Sequence, residues 1–449
     1  MTFYPGGGSG GGLQPWQFAV GASNGTDDTP AFKTAMASAY NYIASNAVPY
    51  AEIVLNAQNY ILAGAVSTGT LGVSGKCLAQ VPLPNPAQTG QKYIIAIRPA
   101  GIADASTLYY FNSTTAQPCI IKSTLNASGS FGAVGTEPSV IGGPIPGSGY
   151  GAGSSTFANM MVVLDGVSIQ VPNNPNICGI DLRGVAQANV SHCGITVNAA
   201  GPGAITVPTN GQQFGLAMPQ ANNNDKSFVL DWSAQGQNYG LVASEHTQVK
   251  VAQLINCIAG LCCAGGGATS TPHWMEGEYI SIEACQLSVQ GNYDTANPTK
   301  IRLHDVDIEG GSGGFSTTAH VYDPNNNLFG EIVLNYNGVG SYGSLLINGG
   351  SQVRIVQGPM AHGPVSSPHA APGSASAWLN AYNLDAEVTC SVSGGTLSAM
   401  TITGPAGAIS QTVPGSTTFY RFTLPAGCSY TPTYTGTLTH TVSLFAGGA

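Results

Sequence analysis

A chain of 449 residues carries 12 Lys+Arg against 21 Asp+Glu, a net charge of −9, with only 7% charged residues where soluble domains usually hold roughly 25%. The acidic balance and the lack of a basic cluster argue against nucleic acid as a partner, and no apolar run of about 18 residues exists to span a membrane. With 61 Gly and a hydrophobic fraction of 43%, the surface must be dressed by Asn, Gln, Ser and Thr, residues suited to stacked β-coils whose side chains satisfy one another from rung to rung.

In chain order, Met1-Thr2-Phe3-Tyr4-Pro5 lacks the basic and apolar regions of a signal peptide, so synthesis in a cytosol is expected. The GGGSGGG tract that follows has no side chains to pack, and residues 1–18 are read as a flexible arm. Trp16 and Phe18 are expected to cover the open end of a coil stack. Asp27, Asp28 and Thr29 offer oxygens to the free N–H groups of a helix start, and Pro30 fits its first turn. Phe32, Met36, Ala39 and Ile43 recur at helical spacing, predicting a helix near 29–45 with one apolar stripe. Ile53-Val54-Leu55 and Tyr60-Ile61-Leu62 are short β-type runs that need stacked neighbours. Tyr93 to Ile97 is another, and the Gly-rich Gly142 to Gly153 is placed outside as a loop.

From Met160 to Val197, short apolar runs alternate with Asp165-Gly166, Asn173-Asn174-Pro175-Asn176 and Asn189 turns, the rhythm of a β-solenoid. Related phrases return at Tyr239 to Leu261 and Tyr279 to Gly291. Cys178, Cys193, Cys257 and Cys285 each precede an apolar residue by one or two positions, which predicts an internal column of thiols. The ten cysteines show no C-x-x-C spacing, so zinc and a secreted disulfide scaffold are disfavoured. His192 beside Cys193 would face the opposite way on a strand, which speaks against a cysteine nucleophile. Glu245-His246 is read as a strand pair with one member inward. Gly358 to Ala377 is a Pro/Ala/Ser/Gly-rich linker, and 378–449 alternates apolar and polar residues as a small antiparallel β domain does.

The phrase at Gly21 to Leu62, G-x-x-x-G-T-D-D-T-x-A-F followed by a helix and V-x-L…Y-I-L, resembles the opening of pectate-lyase-like right-handed parallel β-helices, with Ser23-Asn24-Gly25 in place of the usual Gly-Asp-Gly. The resemblance implies an all-β fold: a right-handed parallel β-helix over 19–357 with an N-terminal capping helix. Further along, NMMVVLDGVSIQVPNNPNICGIDLRGVAQANV, YGLVASEHTQ, HDVDIEGG and the closing VSGGTLSAMTITGPAG…FTLPAGCSYTPTYTG resemble actinobacteriophage minor tail proteins. That resemblance implies a homotrimeric spike or fibre in the virion tail, joined to other tail proteins through its N-terminal region and meeting a host envelope glycan or surface protein. A head decoration protein of the same fold is a weaker alternative.

Chemistry on such a scaffold would use carboxylates, two acids across a glycosidic bond or one base beside a uronate. Glu276, Glu278, Glu283, Asp294, Asp305, Asp307 and Glu309 crowd into one stretch. Asp307 and Glu309 lie two apart, hence on one face of a strand, and coil stacking brings Glu278 or Glu283 alongside; these four are the catalytic candidates. The other reading is an acidic face that is solvated or meets Arg302, Lys300 or another subunit. Asp305-x-Asp307-x-Glu309-Gly310 begins like an EF-hand loop, but Ser316 stands where the bidentate Glu belongs, and no metal or cofactor is expected. An adhesin and a polysaccharide depolymerase therefore both remain open.

Overall fold

The computed structural model describes residues 13–46, 48–56, 59–64, 66–67, 93–100, 119–125, 139–142, 158–172, 177–183, 185–198, 214–219, 226–243, 246–263, 274–291, 299–309, 319–323, 328–338, 347–349, 352–357, 373–380, 385–404, 407–411, 413, 417–425 and 428–444. The Gly-rich tract, the loop after Gly142 and residues 358–372 of the expected linker lie outside these.

Short apolar runs parted by turn residues cannot hold a sheet alone, and here they stack on their own repeats. One coil contributes Ala158–Asp165, Ser168–Pro172 and Cys178–Asp181; the next contributes Val185–Ser191, Cys193–Asn198 and Phe214–Ala217; the next Ser227–Val229, Trp232–Gln235 and Tyr239–Ala243. First strand pairs with first, second with second and third with third, always parallel. The result is a parallel β-helix. Third strands make a nine-stranded sheet, while first and second strands form one 17-stranded sheet. They merge because Trp274–Glu283, Thr299–Glu309 and Leu328–Gly338 run unbroken through the corner between them.

Register turns each inward position into a column. Ile180, Leu216, Leu241, Leu261, Val289 and Val321 stack in the third-strand sheet, all buried. Beside them Gly179, Gly215, Gly240 and Gly260 leave no space for a side chain: a Cβ on Gly179 would lie 2.2 Å from Ile195 and 2.5 Å from the Gly215 carbonyl. The corner between second and third strands repeats a left-handed residue at Gly236, Asn256 and Ala284 (φ 75°, 51° and 50°). Each donates its N–H to the last second-strand carbonyl of the following coil, those of Ile255, Glu283 and Glu309.

The expected thiol column is only partly formed. Cys257 and Cys285 follow those corners and stack inside. Cys193 instead begins a second strand opposite Trp232, and Cys178 packs on the outer side of the third-strand sheet with Phe214, Ala217, Tyr239, Val242, Ala259 and Cys262. Coil phase, invisible in the spacing, separates them. That outer side is buried as well: Arg183 lies 4.4 Å over Phe214 and is held by Asp181 at 2.9 and 2.7 Å. Among the described coils, the outer face open to solvent is therefore that of the first and second strands.

The helix Thr29–Asn46 buries Phe32, Met36, Ala39, Tyr40 and Ile43 against the first coil. Its start departs from simple capping. Asp27 accepts from Thr29 N–H at 3.0 Å as expected, but buried Asp28 accepts from Ser23 Oγ, Asn24 N and Ile61 N at 2.6, 2.8 and 2.8 Å. Because the 23–28 loop folds back on the strand, Asp28 ties helix to coil. The strand Gln17–Val20 pairs with Glu52–Leu55, so the solenoid begins inside the segment expected as an arm.

The C-terminal strands form two antiparallel sheets, Trp378–Leu379, Ser429–Tyr434, Leu397–Gly404 and Gly407–Gln411 in one, and Phe419–Leu424, Ala386–Ser393 and Thr437–Leu444 in the other. Tyr430 sits in their core, edge-on to Phe422 and 2.5 Å from His440 Nδ1. Burial pushes its phenol up, and pushes the neighbouring Cys390 thiol up to about 11.

Two outcomes follow from this packing. Gly179→Ala forces a Cβ into a backbone carbonyl and should cost about 1–3 kcal/mol, read as a lowered midpoint in chemical denaturation. His320, fully buried below Ser288 in line with the glycine column, has its pKa lowered by burial to about 4. Its neutral form is favoured in the fold, so the unfolded chain binds the extra proton below about pH 6.5. The associated stability is complete above that pH and is lost as pH falls toward 4, by about 3 kcal/mol. His320→Gln should flatten the denaturation midpoint between pH 7 and 4; an unaltered slope would contradict the assignment.

Candidate functional site

In Trp274–Glu283 the inward residues are Met275, Gly277, Ile280 and Ile282, and in Thr299–Glu309 they are Ile301, Leu303, Val306 and Ile308. Their neighbours point out, and register stacks these too. Gln248, Glu276, Arg302, Glu331 and Arg354 stand above one another on five coils. Gln248 Nε2 donates to Glu276 at 2.8 Å, Arg302 meets Glu276 at 3.4 Å, and Arg354 meets Glu331 at 3.4 Å. Opposite charges alternate at the strand spacing of roughly 4.8 Å, which avoids like-charge repulsion across the rungs.

Two aromatic rings project beside this ladder. Trp274 is 39% exposed and Tyr279 61% exposed. Arg302 lies 4.6 Å and Lys300 5.9 Å from the Trp274 ring centre, cation–π contacts that hold the indole against the face. The ring reaches along the helix axis as far as Gly330, where a Cβ would stand 2.9 Å from Trp274 Cζ3 and 1.9 Å from the Ile301 carbonyl; with φ of 123°, that position requires glycine. Tyr279 has φ of 53° at the corner, and Asp305 on the next coil has φ of 54°. A bulky residue in the left-handed region is uncommon. Here it turns the phenol outward where the strand bends.

The four carboxylates expected as catalytic candidates lie on this face, at its other end. Asp307 and Glu309 share the outward side of one strand, with Cα atoms roughly 7 Å apart. Glu283 is the register partner of Glu309, and Ser281 that of Asp307. Glu283, Asp307 and Glu309 are thus neighbours on one outward patch, by register and by strand period. Glu278 is not: it lies across the corner, paired with Lys250 at 2.6 Å and in register with His304. Glu283 accepts from Gln253 at 3.0 Å and Ser281 at 2.9 Å, which offsets its stacking on Glu309. Glu309 is exposed and has no ion pair among the described residues. General acid work would ask one of the three carboxyls to hold a proton near neutral pH, and nucleophile or base work would fall to another.

Two polar groupings differ from expectation. His246 is a turn residue with φ of 62° rather than a strand residue, and its expected partner Glu245 is outside the described residues. Asp165, Ser191 and His192 form a cluster that sequence reasoning missed. Ser191 Oγ donates to Asp165 Oδ1 at 3.0 Å, and His192 Nδ1 meets the same oxygen at 2.9 Å. Both partners point at the carboxylate, so the serine is not aligned on the imidazole as nucleophilic catalysis needs. Cys193 beside them is buried, and burial pushes its thiol up, which leaves no thiolate for attack.

The Trp274 platform also escaped the sequence reading. A usable signal was present: WMEGEYISIE and KIRLHDVDIE align by their closing I-S-I-E and V-D-I-E, which places Trp274 over Lys300.

No family model matches the chain, and no curated protein matches it. Among solved structures, the enzymatically active domain of tailspike protein 4 of bacteriophage CBA120 is similar at 9% identity with a TM-score of 0.21. The match covers 91% of this chain and 66% of that one, so the chain spans just under two thirds of its length.

Gly330→Ala should displace the indole it supports. The expected result is a lower melting temperature together with greater acrylamide quenching of Trp274; unchanged quenching would show that the ring does not rest on this glycine.

Proposed function

We propose that this protein is a spike- or fibre-like component of a phage tail that attaches to a bacterial cell envelope by holding surface glycan along the outer face of its first and second strands. The observation that carries the reading is the pairing of two exposed rings, Trp274 and Tyr279, with a ladder of amide, carboxylate and guanidinium groups on Gln248, Glu276, Arg302 and Glu331. Sugar rings present C–H faces that stack on aromatics and hydroxyls that bond to such a ladder. The repeat of the ladder along the axis suits a polymer rather than a single small molecule. The resemblance of the sequence to minor tail proteins supports a place in the virion tail, and with it a homotrimer attached to other tail proteins.

A depolymerase on the same scaffold is the second reading, favoured by the meeting of Asp307, Glu309 and Glu283. The two readings separate in one assay. Purified protein is incubated with actinobacterial cell walls, and both bound protein and released reducing ends are scored. The adhesin reading expects binding without sugar release, with Trp274→Ala/Tyr279→Ala weakening binding by about tenfold or more at unchanged fold. Sugar release that Asp307→Asn abolishes would establish the depolymerase. Full binding by the double aromatic variant would remove the proposed face.

A further inference from the structure

We infer that the face around Trp274 selects an anionic saccharide, one whose sugar ring bears a carboxylate or phosphate, and that Lys300 is the residue that reads the charge. The inference rests on the glycan-binding reading above and names the ligand class of that same site.

The cations of this face differ in what neutralises them. Lys250 is matched by Glu278, Arg302 by Glu276 and Arg354 by Glu331. Lys300 and the exposed Lys226, two coils before Trp274 in the same column, are not so matched among the described residues, and of the two Lys300 is the one against the Trp274 ring. Its ammonium stands 5.9 Å from the Trp274 ring and has no carboxylate partner among the described residues. By register Lys300 lies between Trp274 on one coil and Phe329 on the next. An unneutralised ammonium flanked by two aromatic residues on adjacent rungs is unusual in a chain with net charge −9.

The surroundings give the face a direction. Near Trp274 the described charges are Lys226, Lys300, Arg302 and Arg354 against Glu276 and Glu331, a local excess of positive charge. At the far ends of the same strands stand Glu283, Asp307 and Glu309. Lys300 and Glu309 are separated by nine residues, up to roughly 30 Å of strand. An anionic group is attracted to the first end and repelled from the second, so charge as well as stacking fixes where on the face a sugar unit settles. Stacking on Trp274 holds the ring, and the ammonium meets the anion at its edge. A neutral sugar gains only the first of these contacts.

The test uses the full chain and three defined oligosaccharides of similar length: an oligogalacturonate carrying carboxylates, a phosphomannan fragment carrying phosphates, and a neutral dextran fragment. Binding is measured by titration calorimetry at two salt concentrations, with wild type, Lys300→Gln, Lys300→Arg and Trp274→Ala. Binding of either acidic ligand at least tenfold tighter than dextran, weakened by salt, lost about tenfold in Lys300→Gln and kept in Lys300→Arg, is the expected result. Which acidic ligand binds tells carboxylate from phosphate. Equal affinity for dextran, no binding of either acidic ligand, or indifference to Lys300→Gln overturns the inference. If cell walls still bind through the aromatic pair in that case, the attachment reading stands without it. If acidic ligands bind through Lys300 but walls do not, the inference stands and the attachment reading falls.

Discussion

In-register stacking of parallel rungs is the constraint from which the rest of the structure follows. A strand of four or five residues has too little surface to persist alone, and here each is bonded above and below by its counterparts. Because register is kept, whatever sits at one inward position recurs in the next coil as a neighbour at the strand spacing. The column Ile180, Leu216, Leu241, Leu261, Val289 and Val321 is one outcome, and the glycine column beside it, where carbonyls approach too closely for any Cβ, is another.

The same rule governs the outside. Outward side chains are forced into columns, so charges must alternate or be offset. Gln248, Glu276, Arg302, Glu331 and Arg354 alternate; Glu283 over Glu309 does not, and Gln253 and Ser281 supply hydrogen bonds to Glu283, the half-buried member of that pair. Since the third-strand sheet is buried on both sides in the described coils, the outer face those coils open to solvent is the one made by the other two strands. On that face the corner matters most. Left-handed backbone at Tyr279 turns a phenol into solvent, and glycine at 330 leaves the space in which Trp274 lies.

The sequence made the local pieces legible. Phe32, Met36, Ala39 and Ile43 marked the buried helix stripe, Asp307 and Glu309 shared a face as period two requires, and alternation after Trp378 marked the antiparallel sheets. Phase between coils was hidden, because coil length varies: 39 residues separate Ala188 from Ser227, but 28 separate Gln248 from Glu276 and 26 separate Glu276 from Arg302. Without a fixed repeat, spacing cannot say which thiol stands over which, so Cys178 and Cys193 were placed in a column that only Cys257 and Cys285 share. Asp28 misled for a related reason: its partners Ser23 and Ile61 come from a loop and a strand, and helix-start statistics are silent on such contacts. The Trp274 platform depends on residues from three coils and was visible only by aligning two coils that differ at most outward positions.

The most direct measurement is hydroxyl-radical footprinting of the protein with and without soluble fragments of actinobacterial wall. Attachment along the first- and second-strand face predicts strong protection of Trp274 and Tyr279, with Phe419 of the C-terminal sheets, itself 57% exposed, reacting as before. Protection of Phe419 with Trp274 and Tyr279 left fully reactive would contradict it and move the binding surface to the C-terminal domain.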